Sequence, residues 1–332
     1  MSVCAKIIRE ERLELKMHKL AVDIGGTKIA AAVCDENDRI VEKHTVSTPA
    51  DADVINGHIA DLYKKTAEKF DDISAIGISA AGNVKADRRT VSFSANIPAW
   101  TDYPLSEKIE ELIGNDKVSV IVENDANCAG WGEYVYGAAA GTKNMVMLTV
   151  GTGLGGAVVT DGHLFRGAFG MAAELGHLPM VPAGDICGCG LSGCAERYAS
   201  GTALERFAHA ALRRNPDSGK KLLDMCSGDI NNLQGIMVTE AAKESDAAAL
   251  EAFNMTGQWL GQTMAAISAV LDPEIFVVGG GVAAAGDLLL KPAREAYERY
   301  LQAASYRPHA KIAAASTGQD AGLIGAANLS VL

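Results

Sequence analysis

The stretch LAVDIGGTKIAAAVCDENDRIV, residues 20–41, decides how the rest of the chain is read. Two short apolar runs flank a polar, glycine-rich turn, and the second run stops at the acidic cluster Asp35 to Asp38. Such a pattern predicts a β-hairpin. Apolar and charged positions then follow helical spacing over Val54 to Phe70, and Ile73 to Ser79 is rich in β-formers. The first part of the chain is therefore expected to be a hairpin, a helix and a further strand.

A second glycine hairpin is expected in MVMLTVGTGLGGAVVTDGHLF, residues 145–165, closed by Asp161-Gly162. Laying Asp23 over Thr149 sets the two hairpins 126 residues apart. That spacing predicts a duplicated α/β unit, although two unrelated hairpins would look the same. Helices are expected over Thr202 to Arg213 and Thr239 to Leu271, where Phe253, Leu260, Met264, Ile267 and Val270 keep helical spacing until Pro273. Glu274 to Val278 reads as a buried strand running into three glycines, and Gly318 to Leu332 as a closing helix.

Composition narrows the class. The 332 residues exceed a single average domain, so two are expected, with the ligand site in the cleft between them. Glycine, 35 residues, is roughly 11% of the chain against about 7% in average usage. A net charge of −11 argues against nucleic-acid or anionic-membrane partners. The longest apolar run, Ile275 to Gly286, is far below the ~20 residues of a spanning helix. Charges scattered through Met1 to Lys19 leave no apolar core for a signal peptide, so a cytoplasmic location is expected. In that compartment the seven cysteines are not expected to form disulfides.

Three groups of residues carry chemistry. His177, Cys187, Cys189 and Cys194 are one imidazole and three thiols, a favoured tetrahedral zinc set, and Gly188, Gly190 and Gly193 would let the chain fold back around one ion. Four protein ligands leave no open position, which makes the expected Zn²⁺ structural; unligated core cysteines or a redox pair are the alternatives. DIGGTK (Asp23 to Lys28), TVGTG (Thr149 to Gly153) and VVGGG (Val277 to Gly281) each follow an apolar run, where backbone N–H groups can cradle phosphate; tight turns alone would also explain them. Neither a Walker nor a dinucleotide-binding fingerprint is present. Glu123-Asn124-Asp125-Ala126-Asn127 places acids at a strand end, where one could take a hydroxyl proton during phosphoryl transfer or simply cap a helix. Glu174 and Glu196 bracket the cysteines and suit polyol hydroxyls, or are solvated surface charges.

The motifs DIGGTK, GISAAG, ENDAN, VGTGLGG, AAELGHL, CGCGLSGC, YASG and VVGGG, in this order from about Leu20 to the C-terminus, resemble the ROK family of sugar kinases and sugar-responsive repressors. The resemblance implies an actin-like, ribonuclease-H-like ATPase fold of two α/β domains around a cleft. The expected parts are an N-terminal extension over 1–16, a small domain of 17–121 plus 318–332, and a large domain of 122–317 carrying the zinc loop. Within the family the chain is most similar to glucokinases of actinobacterial type, through AAGNVKADRRTV (80–91), SANIPAW (94–100) and the spacing around the cysteines.

By resemblance, Asp125 is the catalytic base that deprotonates the sugar 6-hydroxyl for attack on the γ-phosphate of ATP. Asn124, Glu174, His177 and Glu196 match sugar-binding positions, with Gly82 and Asn96 beside them. His177 would ligate zinc through one ring nitrogen and meet a sugar hydroxyl with the other. Gly25, Gly26, Thr27, Lys28, Gly151, Thr152 and Gly153 match phosphate turns, Gly279, Gly280 and Gly281 the adenosine side, and Asp23 the position that organises Mg²⁺ through water. Ala81, Asn83 and Arg197 depart from the commonest family residues. A hexose and ATP are the expected partners, in a homodimer or tetramer. N-acetylmannosamine kinase is the neighbouring alternative. A repressor is disfavoured by the charge and by the 19 residues before the first strand, too few for a helix-turn-helix domain.

Overall fold

The computed structural model describes residues 18–37 and 39–329. The expected N-terminal extension over 1–16, Asp38 of the acidic cluster and the last three residues of the expected closing helix lie outside the described residues. The chain has an α/β fold with two mixed five-stranded sheets.

The first sheet has the order β3-β2-β1-β4-β8, from β1 (Lys19–Ile24), β2 (Lys28–Cys34), β3 (Ile40–Ser47), β4 (Ala75–Ala80) and β8 (Ser119–Asn124). β1 pairs antiparallel with β2 and parallel with β4, and β4 pairs parallel with β8. Alternation along the hairpin sorts its side chains onto two faces. Leu20, Val22, Ile24, Ile29, Ala31 and Val33 enter one core with Ile55, Ile59 and Tyr63 of α1 (Ala52–Ala67) and Leu105 and Ile109 of α2 (Leu105–Ile113). Ala21, Ala30, Ala32 and Cys34 enter another with Cys128 of α3 (Asp125–Val135) and Leu323, Ala326 and Ala327 of the closing helix. Both faces are covered, which is why β1 and β2 read as nearly continuous apolar runs. β3 was not expected from the sequence. It is an edge strand of IVEKHTVS whose side chains are mostly exposed, so no apolar run marks it.

A small antiparallel sheet of β5 (Asn83–Val84), β6 (Val91–Phe93) and β7 (Thr101–Tyr103) follows β4. The second five-stranded sheet has the order β11-β10-β9-β12-β13, from β9 (Met145–Val150), β10 (Leu154–Thr160), β11 (His163–Leu164), β12 (Ile275–Gly279) and β13 (Lys311–Ala314). β12 is parallel to both β9 and β13.

The helices of the second half are α4 (Gly201–Arg214), α5 (Lys220–Met225), α6 (Gly235–Lys243), α7 (Ala247–Leu271) and α8 (Asp287–Tyr300). The single helix expected over Thr239 to Leu271 is in fact two. Ser245 adopts a left-handed φ of 65°, and the Asp246 carboxylate caps the new helix by accepting from Ala249 N–H at 3.1 Å. Val270 keeps the helical spacing but is exposed in the last turn of α7. The C-terminal segment forms α9 (Ala321–Ala327), pressed so closely on β4 and α3 that a Cβ on Gly77 would stand 1.8 Å from Ala326 O and one on Gly325 1.8 Å from Cys128 O.

The described chain divides into two compact units. One runs to Lys143 and adds Ala157–Ala173 and the stretch from Ser316; the other comprises Asn144–Gly156 and Glu174–Ala315. No helix among the described residues is long and apolar enough to cross a membrane.

Candidate active site

In the first unit the site is built where β1, β4 and β8 end. Gly25 N–H donates to Lys28 O at 3.0 Å, closing the turn between β1 and β2, and Thr48 Oγ1 donates to Gly25 O at 2.7 Å. Asp23 lies in the strand just before this turn and accepts from Ser79 Oγ of β4 at 2.6 Å. Burial raises the Asp23 carboxyl above its ordinary range, against the opposing pull of Ser79 and of Lys28 and Lys43. Asn96 stands beside the turn, 3.1 Å from where a Cβ on Gly26 would sit, so that glycine gives it room. Its loop is set by Ser94, whose Oγ donates to Ala81 O at 2.6 Å and accepts from Ile97 N–H at 3.1 Å.

At the end of β8 the chain turns into α3 through an N-cap. Asn124 Oδ1 accepts from Asn127 N–H at 3.1 Å, and Asn124 Nδ2 donates to Gly82 O and to Asp125 Oδ1, each at 3.1 Å. Asp125 Oδ1 also accepts from Ala126 N–H at 2.9 Å. The Asp125 side chain is exposed at the N-terminus of an 11-residue helix. The structure therefore brings Gly82, Asn124 and Asp125 into one hydrogen-bonded corner, and Asn96 onto Gly26.

In the second unit the glycine turns converge. Gly151 N–H donates to Gly153 O at 3.0 Å; Gly201 N–H at the start of α4 donates to Gly151 O at 2.7 Å; Thr202 Oγ1 donates to Thr152 O at 2.8 Å. From the other side Val282 N–H donates to Val150 O at 3.0 Å, while Gly280, at φ 91°, runs so close that a Cβ there would lie 2.5 Å from Val150 O. Thus the Gly151–Gly153 turn is held by α4 on one side and adjoins Val150, against which Gly280 packs, so that its backbone forms a small cradle.

Leu154 ties this cradle to the cysteine loop. Its N–H donates to Glu196 Oε2 at 3.0 Å, and its carbonyl lies against Gly176, where a Cβ would come within 2.0 Å. The turn that carries Glu174 and His177 therefore packs on the first residue of β10, with His177 N–H donating to Glu174 O at 3.0 Å. Glu174 is exposed; His177 and Glu196 are half-buried.

The donor atoms of His177, Cys187, Cys189 and Cys194 all lie within 4.8 Å of one another. Cys187 Sγ is 3.7 Å from His177 Nδ1, and Cys189 Sγ is 3.7 Å from Cys194 Sγ. A tetrahedron with metal–sulfur bonds of about 2.3 Å has edges of about 3.8 Å, so the spacing as well as the chemistry of the donors fits one zinc-sized ion. Gly190 and Gly193 have the positive φ that the fold-back requires, and a Cβ on Gly193 would lie 1.7 Å from Val181 O; Gly188 shows no such need. Burial and the neighbouring thiols push Cys194 up to about 12, and burial also raises Cys187, whereas a hydrogen bond from Leu191 N–H lowers Cys189. All six cysteines among the described residues are free.

Sequence reasoning passed over Ser79, Leu154, Arg88 and Arg166, each of which holds a site residue or its neighbour. Only the quoted motifs GISAAG and VGTGLGG offered a signal for Ser79 and Leu154. Arg88 lies within the quoted AAGNVKADRRTV and Arg166 in no quoted motif, and neither could be joined to Glu123, 35 and 43 residues away in the chain.

Residues 19–331 match the ROK family. The chain belongs to the ROK family. Among its ROK relatives, the glucokinase of Streptomyces coelicolor is 43% identical over 311 residues, which span 94% of this chain and 96% of that protein. The N-acetylmannosamine kinase of Vibrio cholerae is 32% identical over 94% and 98% of the two chains. The crystal structure of a ROK glucokinase from Streptomyces griseus in complex with glucose and AMPPNP matches this ROK chain with a TM-score of 0.82 and 43% identity, over 94% of this chain and 98% of that one.

Proposed function

We propose that this ROK protein is a glucokinase that transfers the γ-phosphoryl group of ATP to the 6-hydroxyl of glucose. The observation that carries the reading is 43% identity over nearly the whole chain to a glucokinase, against 32% to an N-acetylmannosamine kinase.

The residues support this chemistry as follows. The Asp125 carboxylate accepts the proton of the sugar 6-hydroxyl as that oxygen attacks the γ-phosphorus in line and ADP leaves. Asn124 and Asn96, with the Gly82 backbone, hold hydroxyls of the sugar, as do Glu174, His177 and Glu196. His177 faces the thiols through Nδ1, which leaves Nε2 as the nitrogen for a hydroxyl. Backbone N–H groups of Gly26, Thr27, Thr152 and Gly153 bind the ATP phosphates in turns that the Gly25 and Gly151 N–H groups close, aided by Lys28, and Gly279, Gly280 and Gly281 border the adenosine. Asp23 would organise Mg²⁺ through water, which neutralises charge on the phosphates. His177, Cys187, Cys189 and Cys194 would hold Zn²⁺ as a closed structural site that fixes the orientation of His177 and Glu196. The reaction is assigned to the cytoplasm, to a homodimer or tetramer, and to no nucleic-acid or membrane partner.

The test is ADP release from Mg-ATP with glucose, mannose, fructose and N-acetylmannosamine at equal concentration. Preferential turnover of glucose is expected. Preference for N-acetylmannosamine would move the protein to the other kinase class, and silence with all four would make it a sugar sensor.

A further inference from the structure

Beneath the Asn124–Asp125 corner lies a buried charge cluster to which the phosphoryl-transfer reading gives no role. Glu123, the residue before Asn124 in β8, is fully buried. Its Oε1 accepts from Asn124 N–H at 2.9 Å and from Asn127 Nδ2 at 3.1 Å, both at the start of α3. Its Oε2 forms ion pairs, without an aligned N–H···O bond, with Arg166 Nε at 2.5 Å and Arg88 Nε at 3.6 Å. The Arg166 side chain is only 11% exposed, and its remaining nitrogens donate to Lys85 O at 2.8 Å and Ala86 O at 3.2 Å. A buried ion pair is seldom more stabilising than apolar packing of the same volume, so its value here lies in what it holds in place.

We propose that Glu123, clamped by Arg166, is a positioning residue for phosphoryl transfer: it fixes the first turn of α3 and thereby the direction in which Asp125 presents its carboxylate. The connection is short. Asn124 and Ala126 donate hydrogen bonds to Asp125 Oδ1, and Glu123 grips the Asn124 backbone together with the Asn127 side chain of the same turn. Removing the clamp lets this turn drift. A displacement of about 1 Å at the base costs up to about a hundredfold in rate without weakening nucleotide binding. This inference rests on the glucokinase reading, with Asp125 as base.

Arg166 lines a cavity of about 730 Å³ together with Arg88, Thr160, His163 and Phe165, so a small cation can reach the place its side chain would vacate. The test is steady-state kinetics of Arg166→Ala and Arg166→Lys with glucose and ATP, each with and without millimolar guanidinium. For Arg166→Ala, kcat is expected to fall between tenfold and about a hundredfold, with both KM values within about twofold of wild type, and guanidinium to restore much of the loss. Arg166→Lys keeps the charge but not both carbonyl contacts, so its kcat should lie between, and it decides the matter if the alanine variant does not fold. Unchanged kcat, or a loss that follows the folded fraction and ignores guanidinium, overturns the positioning role. A wild type silent toward every hexose breaks the kinase reading instead. In that case, hydrogen exchange at the Asn124 amide still tests the clamp: it should be faster in the variants, and equal rates overturn it.

Discussion

The two five-stranded sheets repeat one arrangement, a hairpin followed by two parallel strands, with β9 and β10 in the places of β1 and β2 and β12 and β13 in those of β4 and β8. Asp23 and Thr149 occupy the same place, the fifth residue of the first hairpin strand, paired in register with Ser79 of β4 and Gly279 of β12 respectively. The backbone plan is shared and the chemistry is not. The first sheet ends its strands in carboxylates, Asp23 on β1 and Asp125 just after β8, whereas the second offers uncharged turns at Gly151–Gly153 and Gly279–Gly281 and carries the cysteine loop in its unit. On the proposed function, both copies would offer a glycine turn to phosphate, and only the first would add carboxylates to take a proton and organise a cation.

That division can be broken in order of expected effect. Asp125→Asn removes the base of the first copy and should lower kcat by about three orders of magnitude, leaving sugar binding and metal content intact; near-normal turnover would sink the assignment. Cys194→Ser strikes the loop that the first copy lacks. Wild type purified without chelator should contain about one zinc per chain, and the variant almost none, with a KM for glucose raised at least about tenfold. Elemental analysis that finds no zinc in wild type would end the structural-metal reading.

The glycine turns should differ from each other as well. A Cβ at Gly153 would stand 2.2 Å from Glu196 Oε2, while one at Gly26 would stand 3.1 Å from Asn96 Cβ. Gly153→Ala should therefore raise the KM values for ATP and glucose together by about tenfold, and Gly26→Ala should do so by only about threefold. Equal effects would mean that Glu196 does not join the turn to the cysteine loop. The smallest effect is thermal. Because burial raises the Asp23 carboxyl, the folded state holds its proton more tightly than the unfolded state, and stability falls as pH rises through the raised value. Asp23→Asn keeps an acceptor for Ser79 and should raise Tm by about 2 °C at neutral pH, with the gain vanishing as pH falls toward the ordinary carboxylate range. A change at Thr149, where no charge is buried, should show no such pH dependence.

How much of this could be read from the chain follows from distance along it. The hairpins, the glycine turns and the four metal donors are legible because each is local: His177 to Cys194 spans 18 residues, and a glycine between apolar runs marks a turn by itself. β3 escaped because an exposed edge strand carries no apolar signature, and the break at Ser245–Asp246 because a single left-handed residue interrupts an otherwise helical pattern. Glu123 stood in full view within ENDAN, yet its task was illegible without Arg166, 43 residues on.

The sequence by itself determined the ROK membership, the two glycine hairpins and the residue types available for phosphoryl transfer, because these reside in short spacings and in the polarity of single positions. Only the tertiary structure decided that Leu154 joins the Gly151–Gly153 turn to Glu196, that Ser79 holds Asp23, and that two half-buried arginines face the buried Glu123 behind Asp125. Those contacts depend on which faces meet after the sheets are covered, and packing brings them together from segments whose separation in the chain carries no periodic or compositional mark.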